Sequence, residues 1–266
     1  MILKTKIKGD IPFYYVKQSL SFIRSLIKIL GKNKIQLKAI DLNKNKSMPR
    51  QSREVFAGLP YHIVQRGNYR LKIFDDDSDK LFYLINLHNY LKPCKVKLYS
   101  WCLMDNHVHL IVEPEEVDSL SQLFRRLNVK YSHYIHKKRG KKGRLWEDRF
   151  YSSCLDEQYF LVAIKYVELN PLRANMENEL GEYRWSSFHE RTNKTKYSIL
   201  SPLPDWLIVD SWRKFIYDGL SEEELHDRIR KYSKRSLPIG SDDFVGELET
   251  KTNKNLRFTK QGRPSV

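Results

Sequence analysis

The sequence predicts an α+β fold, an antiparallel sheet with helices packed on it. Three observations lead there. Segments of period-two hydrophobicity alternate with segments of helical period. Turn residues separate them: Gly67-Asn68, Asp105-Asn106 and the glycines of KKRGKKGR. Hydrophobic residues are 41% of the 266-residue chain, enough for a sizeable core.

The elements follow in order. LPYHIVQRGN, from Leu59, reads as a strand closed by a turn. DDDSDKLFYLINLHNYLK opens with acids suited to a helix N-terminus and continues with a stripe of Leu81, Leu84, Ile85 and Leu87 to Leu91. KVKLYSWCLM and HVHLIVEP, joined at Asp105-Asn106, read as a hairpin. DSLSQLFRRLNVKYSHYIHKK predicts a helix started by a capping box of Ser119 and Gln122. Its buried stripe would be Leu120, Leu123, Phe124, Leu127, Tyr131 and Tyr134. RFYSSCL predicts a fourth strand, and DEQYFLVAIKYVELNP a third helix capped by Asp156. The order strand, helix, strand, strand, helix, strand, helix matches a ferredoxin-like sheet with helices on one face.

Two regions flank this domain of residues 48–190. Residues 1–47 hold 11 Lys and Arg against 2 Asp and Glu, and read as a basic extension with helical spacing over Phe13 to Leu30. Residues 191–266 read as a helical region with a basic tail. It has helices in SPLPDWLIVDSWRKFIYDGL and SEEELHDRIRKYSKR, the second capped by Ser221 with Glu224, and one further turn of helix in the tail.

The net charge of +16 points to nucleic acid or another anionic partner. Three cysteines without CxxC spacing argue against a disulfide framework or a zinc knuckle and fit a reducing compartment. No run of about 18 apolar residues predicts a membrane span, and the apolar N-terminal stretch is interrupted by Lys17, Arg24 and Lys28, unlike a signal peptide. The expected location is the cytoplasm. There is no P-loop or GxGxxG, which leaves nucleotide hydrolysis without support.

MDNHVHLIVEP holds the main chemical oddity. Strand residues i and i+2 share a face, so His107 and His109 project together while Val108 points the other way. Two readings stand for the pair: ordinary strand histidines, or a half-site for a divalent metal. In KYVELNPLRAN, Tyr166 and Asn170 are four apart and share one helix face. An Asn oxygen can complete a two-histidine site, and a tyrosine one turn earlier would stand beside the metal as a nucleophile. No HExxH or similar set completes a zinc hydrolase, and His62 reads as a packing residue.

Taken together and in order, MPRQ…LPYHIVQRGN, SWCLMDNHVHLIVEP, GRLWEDRFYSS, YVELNPLRA and YRWSSF resemble the single-tyrosine HUH transposases, insertion-sequence-200-like, and within them the REP-associated tyrosine transposases. GRPSV at the tail is similar too. The resemblance implies the HUH endonuclease fold, His107, His109 and Asn170 as metal ligands, Tyr166 as the catalytic tyrosine, and Mg2+ or Mn2+ as cofactor. It implies cleavage and rejoining of single-stranded DNA near hairpins through a 5′-phosphotyrosine, by a monomer or homodimer associated with the nucleoid. The alternative is a catalytically silent hairpin-DNA-binding protein; a metal hydrolase unrelated to DNA stands well behind. DNA-binding candidates are Arg66, Arg70, Lys141, Lys142, Arg144, Arg149 and Arg173, with Trp146 and Phe150 available for base stacking or for the core. Two residues depart from the family's pattern: Glu147, where Gln is usual, and Glu168, where His is common. Both are expected to add negative charge near DNA.

Overall fold

The computed structural model describes residues 54–192 and 198–258. The expected helix over Phe13 to Leu30 and the GRPSV tail lie outside the described residues. Four strands form one antiparallel sheet: β1 (Tyr61–Arg66), β2 (Val96–Met104), β3 (His107–Pro114) and β4 (Tyr151–Cys154). Their order is β2-β3-β1-β4, the ferredoxin-like arrangement. Helix α1 (Asp77–Leu91) joins β1 to β2, and α2 (Ser119–Arg139) joins β3 to β4. The right-handed crossover rule puts both on the same face. There Ile63, Val108, Leu110 and Val112 meet Tyr83, Leu87, Leu123, Phe124 and Leu127 in one apolar cluster.

Helices do not stay on one face, as the sequence led us to expect. Helix α3 (Glu157–Glu168) follows β4 and covers the opposite side, packing on Tyr99, Cys102, Met104 and Ile111. The physical reason is visible in burial: β2 and β3 are buried along almost their whole length, so both faces need cover. The helices α4 (Ser187–Thr192), α5 (Trp212–Asp218) and α6 (Glu223–Ser233) complete that cover with Phe188, Ile216 and Ile229, whereas α7 (Asp242–Thr252) packs Leu248 and Phe244 on the first cluster. The described residues belong to a single compact unit.

Local details correct several expectations. Leu81 and Ile85 of α1 are half exposed, and the buried stripe is Tyr83, Leu87 and Leu91. In α2 the last turn buries Ile135, while Tyr134 stacks on Phe82. The Ser119 capping box does not form, because Ser119 lies inside the helix and its hydroxyl accepts the Glu116 N–H instead. Nor does the Ser221 box, whose hydroxyl bonds back to the Asp218 carbonyl. Asp156 caps α3 as expected, accepting the Tyr159 N–H at 2.8 Å. Over 201–220, helix begins only at Trp212, capped by Ser211, and the tail's turn of helix is the 11-residue α7. A bulge between Leu98 and Ser100 lets Leu98 and Trp101 face the same core.

Candidate active site

Register decides what stands beside the histidine pair. Arg66 lies opposite His107 and Val64 opposite His109, so His62, Val64 and Arg66 share the pair's face. His109 and His62 are buried, at 4% and 1% exposure. Their rings are joined, His62 Nε2 to His109 Nδ1, at 2.9 Å. The ring planes differ by only 2° with centroids 5.2 Å apart, the spacing of two rings hydrogen-bonded in line. Beyond them, His62 Nδ1 meets the Ser233 hydroxyl at 2.7 Å. A chain Ser233–His62–His109 therefore runs from the end of α6 to the β3 histidine and leaves His109 Nε2 without a partner in it. His62 is thus more than a packing residue.

His107 is oriented by its neighbour. Its Nδ1 lies 2.6 Å from Asn106 Oδ1. The Asn106 amide nitrogen donates to the Arg70 carbonyl at 3.0 Å, which fixes the amide's orientation. An amide oxygen only accepts, so His107 Nδ1 carries the proton and Nε2 keeps its lone pair. Burial, with the charge of Arg66, lowers His107 to about 4, and burial, with His107, lowers His62 to about 3. His109 is held well below the usual histidine range by the same burial. All three rings are therefore neutral at pH 7, the state in which imidazole binds metals.

Helix α3 brings up the tyrosine. The Tyr166 ring meets the edges of His62 and His109, each at 5.6 Å between centroids. Asn170, at the start of the helical turn Asn170–Arg173, donates from its amide to the Tyr166 carbonyl at 2.9 Å, leaving Oδ1 as its remaining acceptor. Burial raises the Tyr166 phenol, opposed by Arg230, Arg173 and the Asn170 amide. Helix α6 closes the other side: His226 packs on Tyr166 at 5.4 Å. Arg173 donates to His226 Nδ1 at 2.8 Å and pairs with Glu223 at 2.6 Å. His226 Nε2 is buried without a hydrogen-bond partner. Val64, Arg66, His109, Tyr151, Tyr166 and Arg230 line the cavity between sheet and helix.

Residues 55–170, which hold the histidine pair, Tyr166 and Asn170, match the family model described as "Transposase IS200 like". The chain is similar to that family over this segment. Two solved structures are similar to the chain. One is a REP-associated tyrosine transposase bound to a REP hairpin, at 15% identity and a TM-score of 0.47, covering 62% of this chain and 96% of that one. The other is a candidate transposase from Deinococcus radiodurans R1, at 19% identity and a TM-score of 0.29, covering 49% of this chain and 94% of that one. No curated protein matches the chain.

The matched segment ends at Asn170, yet Ser233, His226 and Arg230 reach its tyrosine and histidines from α6. Sequence reasoning missed all three, and Asn106 with them. The one local signal was Asn106 itself, next to His107 in the turn. The donor chemistry fits a divalent ion: Nε2 of His107, Nε2 of His109 and Oδ1 of Asn170 are each left over after the partner atom on the same side chain is engaged. Among the described residues, no group of three or more His, Cys, Asp or Glu is arranged to hold a metal. A set of two histidines and an asparagine is a different donor set.

The basic candidates separate into two groups. Arg66 lines the cavity, and Arg173 sits behind Tyr166, tied to Glu223 and His226. Arg70, Lys141, Lys142, Arg144 and Arg149 are exposed. The loop that carries the last four runs beside the end of β1, through bonds from Asn68 N–H to the Leu145 carbonyl and from Glu147 N–H to the Arg66 carbonyl. Trp146 and Phe150 are each 8% exposed and belong to the core, so neither offers a stacking face. Glu168 is also displaced from its expected place near DNA. Two residues past Tyr166, it points to the other side of α3 and is wholly buried. There it accepts from Ser187 at 2.6 Å and Trp212 at 2.7 Å. Glu147 is half-buried beside Arg66.

Proposed function

We propose that this transposase is a divalent-metal-dependent enzyme that cuts and rejoins single-stranded DNA beside hairpins. Tyr166 is the nucleophile, and His107, His109 and Asn170 are the ligands of Mg2+ or Mn2+. The observation that carries this reading is the Tyr166 ring set against His109, with Asn170 one helical turn on. When bound, the ion supplies Lewis-acid stabilisation of charge on the scissile phosphate. The Tyr166 phenol loses its proton and its oxygen attacks phosphorus. The bond from phosphorus to the 3′ oxygen breaks, and that oxygen takes up a proton. The products are a 5′-phosphotyrosine and a free 3′-OH, and attack by a 3′-OH reverses the step without ATP. Arg66 and Arg230 line the same cavity and neutralise the phosphate there. Hairpin recognition rests on the ordered motifs of the REP-associated subgroup. DNA as substrate places the work at the nucleoid, and no helix among the described residues is long and apolar enough to cross a membrane.

The test is a denaturing gel of labelled hairpin-containing single-stranded DNA incubated with the protein and Mn2+. A covalent adduct that disappears in Tyr166→Phe supports the assignment. An adduct that persists in Tyr166→Phe sinks the nucleophile, and binding without any adduct supports a silent hairpin-binding protein instead.

A further inference from the structure

The turn after β1 is built at a conformational cost and displays an aromatic ring to solvent. Tyr69 and Arg70 both have left-handed backbones, φ 52° and φ 58°, without being glycine. Such residues are strained and persist where surrounding structure over-determines them. Here the determinants are Gly67 and Asn106. Gly67 is required by close approach, since a Cβ there would lie 2.4 Å from the Leu71 carbonyl oxygen and 2.7 Å from Ile73. Its N–H donates to the Asn106 carbonyl at 2.9 Å, and the Asn106 side chain holds the Arg70 carbonyl at 3.0 Å. The oxygen of that same amide orients His107. One asparagine thus ties a metal-ligand candidate and the strained turn into a single unit.

What the turn presents is Tyr69, at 84% exposure the most exposed aromatic ring among the described residues. A buried tyrosine in this fold packs in the core; among the described residues this ring has no side-chain hydrogen bond and no aromatic neighbour. It stands three residues beyond Arg66, which lines the cavity of Tyr166, and next to the exposed Arg70. The basic loop Lys141–Arg149 joins the same strand end through Asn68 and Arg66. An outward aromatic at the strand end that carries Arg66, with exposed cations beside it, suits the way proteins hold unpaired bases, stacking the base while charge tracks the backbone.

We propose that Tyr69 is the stacking platform for one unpaired nucleobase of the single-stranded DNA next to the phosphate attacked by Tyr166. Arg70 neutralises the adjoining backbone. The inference rests on the reading of the protein as a single-strand transposase, and it assigns the base-stacking role that Trp146 and Phe150 cannot fill.

The test compares two fluorescein-labelled strands of equal charge: a 20-nucleotide oligo-dT and a 20-unit abasic strand. The Tyr69→Asn variant removes the ring while tolerating the left-handed backbone, so it keeps the turn. The expected result is about tenfold weaker binding of oligo-dT, roughly 1.4 kcal/mol, with binding of the abasic strand unchanged. Tyr69→Phe should restore oligo-dT binding. Equal loss on both strands, or no loss on either, overturns the platform while leaving the transposase reading intact. Failure of the wild-type protein to bind oligo-dT or any hairpin strand removes both.

Discussion

The two faces of the sheet, built from the same strands, do different work. The face under α1 and α2 is filled by Ile63, Val108, Leu110 and Val112, and its helices follow directly from the strand order. The face under α3 and α6 carries His62, His109 and Arg66 among fewer apolar side chains, and its cover comes from later in the chain. Strand alternation makes this division residue by residue: Leu110 and His109 are neighbours in sequence and point to opposite sides. The lesson is that stability and chemistry can be separated here by a single step along β3.

Mutating the two neighbours tests this division most directly. Leu110→Ala opens a cavity in a fully buried site and should cost about 2–5 kcal/mol of stability, read by urea denaturation. The protein that remains folded should still bind Mn2+. His109→Ala should do the reverse, abolishing Mn2+-dependent cleavage with a much smaller loss of stability. Equal stability losses would show that the two faces are not separable.

Next in size is the hydrogen-bond chain behind His109. Removing an outer partner of a metal-binding histidine typically costs 10–100-fold in metal affinity. His62→Ala should weaken Mn2+ binding by about that factor, and Ser233→Ala by less, since a water can replace the hydroxyl. Calorimetric titration with Mn2+ measures both. Unchanged affinity in His62→Ala would return His62 to a packing role.

That chain also marks where sequence reading stopped. The strand pattern, the order of elements and the pairing of His107 with His109 were legible because each depends on residues close in sequence. His62 was read as packing because its partners, 47 and 171 positions away, leave no local trace. The capping boxes at Ser119 and Ser221 failed for the complementary reason: the local motif was present, but the helices start one or two residues elsewhere and the hydroxyls bond otherwise. The sequence puts Glu168 beside DNA because Tyr166, the candidate nucleophile, is two residues away, yet two steps along a helix turn a side chain to the far side.

Acid should unfold the chemical face first. His62, His107 and His109 are held below their unfolded value of about 6.5, with His107 at about 4. The unfolded chain therefore binds more protons than the native one between pH 6.5 and 4. Stability is full above that window and falls as the pH drops through it, on the order of 2 kcal/mol per histidine by pH 5. Glu168 acts with the opposite sign: burial raises its carboxyl, so its contribution is present at low pH and declines as the pH rises. Urea midpoints at pH 7.5 and pH 5 should therefore fall, and fall further in Glu168→Gln. A midpoint that rises on acidification would mean that the histidines are not held neutral.

The smallest expected effect on activity belongs to Glu168 itself. Its carboxylate joins β2, α4 and α5 through Ser100, Ser187 and Trp212, and Arg191 lies 3.7 Å away. None of these groups lines the Tyr166 cavity. Glu168→Gln keeps the shape and one acceptor but leaves Arg191 without its counter-charge, so stability should drop by about 1–3 kcal/mol. The adduct yield with hairpin DNA should stay within about twofold at a temperature where both proteins are folded, roughly 0.4 kcal/mol. A large gain or loss of adduct would show that α3 couples its two sides. The separation between the structural and chemical faces would then hold across the sheet but fail within the helix that carries Tyr166.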